Sequence, residues 1–377
     1  MLHKLTSPTA ARSFSQDAIA QLNSLQSNAE TIRKSAECRR DPAQHIPQMR
    51  DYLTRVGLSM AEIDRLSVIH VAGTKGKGCT CAFVESILRR CPEVGKVGFY
   101  SSPHLLGVCE RIRINGQPIH EDMFSKYFWD VYDKLKRTQD DYCGDMPFYF
   151  SFLTVMSLYV FVREAVNVAI LEVGIGGEYD STNVVQRPVV CGVTSLDLDH
   201  TNLLGNTLDK IAWQKAGIFK SGVPAITVPQ STDSVRDVML KRAKEKGCPL
   251  YVAQPLASTG LPGGLPLGIA GDRQRYNAAL AVQLCQVWLQ TRADSLSSCR
   301  WHGRYQTICR PGVTYYLDGA HTPDSIEACE QWFQKAAERE SGQLSHTRSV
   351  IRAMSCHTTT SQQFSKNSLC FPSSVVV

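Results

Sequence analysis

Val68-Ile69-His70-Val71-Ala72-Gly73-Thr74-Lys75-Gly76-Lys77-Gly78 is a short apolar run that breaks into a glycine-rich, lysine-bearing loop. A helical pattern follows at once, through Ala82, Phe83, Val84, Ile87 and Leu88. Strand, loop and helix in that order are how a chain holds a triphosphate. The glycines let backbone N–H groups close on phosphate oxygens, the lysine adds a fixed positive charge, and the helix N-terminus supplies a favourable dipole. The strict pattern G-x-x-x-x-G-K-[ST] is not met, because Val71 stands five before Gly76 and Lys77 is followed by Gly78-Cys79. The stretch is a variant phosphate loop.

Working outward, residues from about 17 to 66 are polar and helical in pattern. Past the loop helix, 97–100 is a short strand that runs into Ser101-Ser102-Pro103-His104, where the proline forces an extended exit. Residues 150–162 form an apolar helix, and the β-branched run 166–173 suits a buried parallel strand. Further strands are expected at 189–195, 225–228 and 250–252, with helices or turns between them. The alternation predicts a doubly wound, mostly parallel α/β sheet with its ligand at the carboxyl ends of the strands. An amphipathic helix over 277–289 closes this domain, which spans 17–297. A strand at Tyr315-Tyr316-Leu317 and a helix over about 324–338 make an incomplete second α/β domain, 298–340. Residues 341–377 carry neither period and are expected to be a disordered tail.

The chain has 377 residues, 43% of them hydrophobic and 20% charged, which fits an ordinary soluble enzyme rather than a disordered or fibrous protein. Its net charge of +6 suits anionic small substrates, and no dense basic stripe with interleaved aromatics points to nucleic acid. None of the 14 cysteines forms a CxxC pair, so reduced thiols in an intracellular protein are expected rather than a disulfide framework or zinc site. No apolar stretch approaches the length of a membrane span. Residues 1–16, with Lys4, Arg12 and no acid, are either an unstructured cytosolic start or a weak mitochondrial presequence.

Glu172 ends an apolar run just before Val173-Gly174-Ile175-Gly176-Gly177. A carboxylate at the carboxyl end of a parallel strand, in the same domain as a phosphate loop, is a natural Mg²⁺ ligand. The glycines themselves make a poor dinucleotide fingerprint, because Tyr179 occupies the third position. Asp199-His200 follows the strand ending near Ser195, on the same presumed edge. Taken alone, Lys215 is as well explained as a surface lysine, and Ser102, Arg304, Asp318 and His321 as loop or turn residues. Their functional alternatives are metal ligation for Ser102 and nucleotide contact for the last three.

Together these elements resemble folylpolyglutamate synthase, of the Mur-ligase-like amide-forming ATPases. The resemblance runs in order through His70 to Gly78, Ser101-Ser102-Pro103-His104, Arg111 to Gly116, Leu171 to Gly177, Asp199-His200-Thr201, Ile211 to Lys215, Asn277 to Leu280 and Leu317 to His321. It implies a Mur-ligase-like central domain that adds L-glutamate to the γ-carboxyl of a folate or tetrahydrofolate polyglutamate, with ATP, Mg²⁺ and room for a monovalent cation such as K⁺. It further implies that Gly73, Thr74, Lys75, Gly76, Lys77, Gly78, Cys79, Thr80 and Asn277 bind ATP, joined by Arg304, Asp318 and His321. Ser102, Glu172 and His200 would hold the metal. Lys77, His200 and Lys215 would serve catalysis, Lys215 matching a lysine that is carbamylated in relatives. Ser102, Pro103 and His104 would border the folate. A monomer, cytoplasmic with a mitochondrial form, is the expected setting.

The chain also departs from the family pattern. Cys79 replaces a serine, and a thiol suits Mg²⁺ poorly, so weakened Mg–ATP binding and recovery by Cys79→Ser are expected. The connector between Leu289 and Trp301 is short. The match fades near Glu338, which implies a C-terminally truncated or alternative form with poor ligase activity, from an alternative transcript or an imperfect gene model. Dihydrofolate synthase, and a non-catalytic nucleotide- or folate-binding relative, are the competing readings.

Overall fold

The computed structural model describes residues 8–26, 42–142, 145–260, 266–298, 306–310, 313–318, 323–341 and 349–354. The chain divides into two units, Met1–Ala293 and Asp294–Val377, a few residues before the boundary expected at 297.

Among the described residues the first unit is built on eight strands: β1 (Ile69–Ala72), β2 (Val97–Tyr100), β3 (Ile112–Ile114), β4 (Gln117–Pro118), β5 (Val168–Glu172), β6 (Val190–Val193), β7 (Ala225–Thr227) and β8 (Leu250–Val252). Their order is β4-β3-β2-β5-β1-β6-β7-β8. From β2 to β8 all neighbours are parallel, and the β3–β4 hairpin adds an antiparallel edge, with β3 and the turn inside the Arg111 to Gly116 stretch and β4 just after it. This is the α/β architecture expected from the alternation of elements.

The sheet is buried on both faces, which is why its strands are nearly continuous apolar runs. Successive side chains alternate between faces. Ile69, Val71, Val168 and Ile170 pack with Val84 and Leu88 of the helix Lys77–Leu88 and with Leu280, Leu284 and Trp288 of the helix Gln274–Ser298. Tyr100, Ala169 and Leu171 pack on the opposite face with Phe124, Phe128 and Val131 of the helix Glu121–Arg137 and with Phe152 and Met156 of the helix Tyr149–Arg163. The central strands are thereby pinned between two layers, and only their ends are free to carry chemistry. Among the described residues no helix is long and apolar enough to cross a membrane.

Two expectations about the termini are corrected. A helix runs from Pro8 to Ser24, so residues 8–16 are helical rather than unstructured, and residues 1–7 lie outside the described residues. In the second unit β9 (Gln306–Arg310), β10 (Val313–Asp318) and β11 (Ser349–Met354) form a sheet in the order β11-β10-β9. β11 pairs in parallel with β10 over six residue pairs, inside the stretch 341–377 that was expected to be structureless. Backbone pairing along Ser349–Met354 supplies order that a 3.6 or 2.0 hydrophobic period does not announce. The helix Pro323–Ser341 sets the rings of Trp332 and Phe333 edge-on to Tyr316, with centroids 5.7 and 5.1 Å away. The rest of the expected tail lies outside the described residues.

Candidate functional site

Strands β1, β5 and β6 end at one rim, with Val71 registered on Glu172 and Ala72 on Val193. The loop after β1 folds back over this rim because the loop after β6 receives it. The Thr74 and Lys75 N–H groups both donate to the Ser195 carbonyl, at 3.0 and 3.2 Å. The Thr74 hydroxyl donates to the Asp197 carbonyl at 3.1 Å. Two glycines are obligatory here. Gly73 has φ +146°, and a Cβ on it would stand 1.8 Å from the Thr194 hydroxyl oxygen. Gly76 has φ +91°, and a Cβ there would stand 2.4 Å from the Asn277 side-chain oxygen. The loop therefore packs backbone-to-side-chain on both flanks, which a residue larger than glycine prevents.

The helix Lys77–Leu88 begins directly at the loop. The N–H groups of its first turn lack intrahelical acceptors and favour an anion. Asn277 and Gln274 come from the start of the long helix Gln274–Ser298 and lie beside this turn. Gln274 donates its amide N–H to the Cys79 sulfur at 3.5 Å and accepts one from the Asn277 amide at 2.9 Å. Gly78 faces Glu172 instead, since a Cβ on it would approach the carboxylate at 3.5 Å. The Cys79 thiol, expected from the family pattern at the cation position, here meets the Gln274 amide. One step along a helix turns the side chain by about 100°, and that step moves the thiol to the amide cluster. Thr80 turns inward and is fully buried.

Glu172 is only 5% exposed. Its carboxylate accepts one long hydrogen bond from the Ser102 N–H, 3.4 Å, with added help from the Gly78 N–H. Burial pushes its pKa up to about 7, opposed by the nearby Lys77 ammonium. A buried carboxylate so sparsely partnered fits a cation's place, and Mg²⁺ needs only one or two protein oxygens when phosphates and water complete its shell. Among the described residues no group of three or more His, Cys, Asp or Glu gathers as a ready-made metal cage.

His200 has left-handed backbone, φ +49°, and its ring lies 3.9 Å from the Asp199 carboxylate. Asp199 in turn accepts a hydrogen bond from the Lys75 ammonium at 3.1 Å, which holds its carboxyl below the usual range. The geometry thus ties Asp199-His200 to the phosphate loop through Lys75. Ser102 and Glu172 meet directly, as their spacing in the sequence did not reveal. His104 accepts a hydrogen bond from the Arg111 guanidinium at 2.9 Å. Just beyond it the Glu110 carboxylate accepts the N–H groups of Leu105, Leu106 and Gly107, and both leucines face outward.

Lys215 is buried and donates to the Gly73 carbonyl at 2.8 Å. Burial, with the Lys77 charge adding to it, lowers its pKa to about 7. A lysine that would pass for a surface residue is in fact part of the loop's support. Arg304 and His321 lie outside the described residues, and Asp318 closes β10 of the second unit. Ser195, Asp197, Gln274 and Asp180 were not anticipated. Asp180 holds the turn after β5 by accepting the Gly174 and Ile175 N–H groups at 3.1 and 3.0 Å. Its position eight residues past the strand gives no local signal of that role.

A phosphate-type loop at the carboxyl rim of a parallel sheet, with a buried carboxylate on the adjacent strand, defines an α/β domain of nucleotide-binding design. No protein-family model matches the chain. It is 48% identical over 358 residues to the mitochondrial folylpolyglutamate synthase of Bos taurus, covering 86% of this chain and 60% of that protein. It is likewise 48% identical over 364 residues to that of Homo sapiens, covering 87% and 61%. A solved complex described as FPGS with AMPPCP and folate superposes with a TM-score of 0.61 at 27% identity, over 85% of this chain and 80% of that one. The chain belongs to the folylpolyglutamate synthase family. It spans about three fifths of the length of these two curated relatives.

Proposed function

We propose that the rim around Lys77, Glu172 and Lys215 binds ATP with Mg²⁺ and serves the addition of L-glutamate to the γ-carboxyl of a folyl(poly)glutamate. The observation that carries this reading is the convergence of a phosphate loop, a sparsely partnered buried carboxylate and a buried lysine at one end of three adjacent strands. The names of the relatives, and the AMPPCP and folate in the solved complex, support it.

The chemistry has two stages. A γ-carboxylate oxygen of the folate takes the terminal phosphoryl group of ATP, giving an acyl phosphate and ADP. The amine of L-glutamate, having lost a proton, then attacks the acyl carbon, and the C–O bond to phosphate breaks as the amide forms. Lys77 and the first-turn N–H groups would hold the phosphates in place, with Asn277 lining the loop. Ser102, Glu172 and His200 would hold the cation, which neutralises charge on the transferring group. The Ser102-Pro103-His104 turn, with Leu105 and Leu106 turned outward beyond it, would border the folate. The mitochondrial relatives fit a mitochondrial form alongside a cytoplasmic one.

Calorimetry with AMPPCP and Mg²⁺, followed by a turnover assay with tetrahydrofolate, L-glutamate and ATP, tests the reading. Binding together with amide formation supports it. Binding without turnover replaces it with a nucleotide-binding relative, turnover on dihydropteroate alone replaces it with a dihydrofolate synthase, and no binding removes it.

A further inference from the structure

The glycine run after β5 makes contacts that neither a dinucleotide nor a phosphate explains. A Cβ on Gly177 would stand 2.6 Å from the Gln214 carbonyl oxygen, and one on Gly217 would stand 2.4 Å from the Glu178 Cα. The segment Gly177-Glu178 and the segment carrying Lys215 are therefore in direct backbone contact. Charged groups lock that contact from both sides. The Glu178 N–H donates to the Gln214 carbonyl at 2.8 Å. The Glu178 carboxylate accepts hydrogen bonds from the Arg242 guanidinium and pairs with the Lys246 ammonium at 3.0 Å. Lys246 also donates to the Gly217 carbonyl at 2.9 Å. The Asn183 amide bridges the Glu178 and Gly217 carbonyls at 2.9 and 3.3 Å. The Arg242 guanidinium lies 4.2 Å over the Trp213 ring. Every residue from Trp213 to Gly217 except Lys215 and Ala216 is thus gripped by this network, and Lys215 points the other way, to Gly73.

We propose that Glu178, with Arg242 and Lys246, is a positioning clamp that holds the Trp213–Gly217 segment so that the Lys215 amine stays on the Gly73 carbonyl of the phosphate loop. The inference rests on the proposed nucleotide site only for its purpose; its geometry stands without it. A half-buried three-charge cluster is a poor device for stability alone, because partial desolvation and solvent screening offset much of its attraction. It is well suited to fixing one geometry. Loosening it lets the segment drift outward and brings water to the amine. The charges facing that amine are Lys77 and Lys75 on the loop, Asp199 after β6 and Asp180 after β5.

The test is the pH dependence of acetic anhydride labelling at Lys215 in the full chain, followed by peptide mass spectrometry, in the wild type, Glu178→Gln and Glu178→Asp. Glu178→Gln is expected to move the labelling midpoint upward by about one pH unit, a roughly fivefold loss of neutral amine at pH 7. Glu178→Asp should recover at least half of that shift. A folded Glu178→Gln protein with an unmoved midpoint overturns the clamp. Should Glu178→Gln fail to fold, Trp213→Leu removes the guanidinium stack and the Tyr179 ring contact, and the same midpoint decides in the same sense. The labelling needs no nucleotide, so a chain that binds no AMPPCP refutes the nucleotide reading while leaving the clamp to be judged on the amine.

Discussion

The Lys215 amine donates to the carbonyl of Gly73, a residue 142 positions earlier in the chain, at 2.8 Å. This bond fastens the segment after β6 to the phosphate loop after β1, and it buries one titratable group on that loop while Glu172, another, is buried at the end of β5.

The first consequence is an unusual stability profile for the ligand-free chain. Glu172 is raised from 4.5 to about 7, so the folded state binds the extra proton between those values and stability falls as pH rises through that window. Lys215 is lowered from 10.5 to about 7, so the unfolded state binds the extra proton above pH 7 and stability recovers as pH rises toward 10. Lys220, lowered to about 8, acts in the same direction as Lys215. Buried His70, lowered to about 3, adds the opposite slope below pH 6.5, so the two groups are read from difference curves rather than from the wild-type profile. In urea denaturation from pH 5 to 9, the stability of wild type minus Glu172→Gln should fall with pH up to about 7, and that of wild type minus Lys215→Met should rise above it, each by on the order of 2–3 kcal/mol. A flat difference curve contradicts the burial of the group replaced.

Glu172→Gln should also uncouple nucleotide from cation. It removes the negative charge while keeping the shape, so AMPPCP affinity should lose its dependence on Mg²⁺, a drop of about tenfold or more at saturating metal. Calorimetry with and without a chelator reads this directly. If the variant keeps the Mg²⁺ dependence, the cation does not sit on Glu172.

Gly73→Ala should be severely destabilising, by more than about 2 kcal/mol, because a Cβ would overlap the Thr194 hydroxyl and φ +146° is strained for any L side chain. Equilibrium unfolding checks the magnitude. An unchanged midpoint would mean that the loop is not packed on β6 as described.

Cys79 and Gly78 separate two accounts of the loop. The Cys79 thiol touches Gln274 and Gly78 faces Glu172, so Cys79→Ser should change Mg–AMPPCP affinity by less than about threefold. Gly78→Ser, which places a hydroxyl directly after Lys77 and toward Glu172, should tighten it by about threefold or more. The reverse ranking would return the thiol to the cation position.

Much of this architecture was legible because its signals are local. The β-branched run ending at Glu172 and the break after Ala72 announce buried strands and a loop by residue type alone, and the helix over 149–163 and the 277–289 part of the helix Gln274–Ser298 follow from apolar spacing, whereas 290–298, expected as a polar connector, continues that helix. The edge hairpin β3–β4 and the strand Ser349–Met354 escaped, because edge pairing depends on backbone partners rather than on a hydrophobic period. At the site, Lys77 and Glu172 were legible from their placement at strand ends. Ser195, Gln274 and Asp180 were not, since each works through a carbonyl, an amide or a turn that only folding supplies.

By itself the sequence determined the alternation of strands and helices, the glycine-rich loop after β1 and the carboxylate at the end of β5. These follow from residue size, branching and spacing along one segment. Only the tertiary structure decided that Lys215 is buried against Gly73, that Cys79 faces Gln274 and that Glu178 grips the segment beside Lys215. Those relationships join residues distant in the chain, and their energies arise from desolvation and contact, which exist only once the layers have packed.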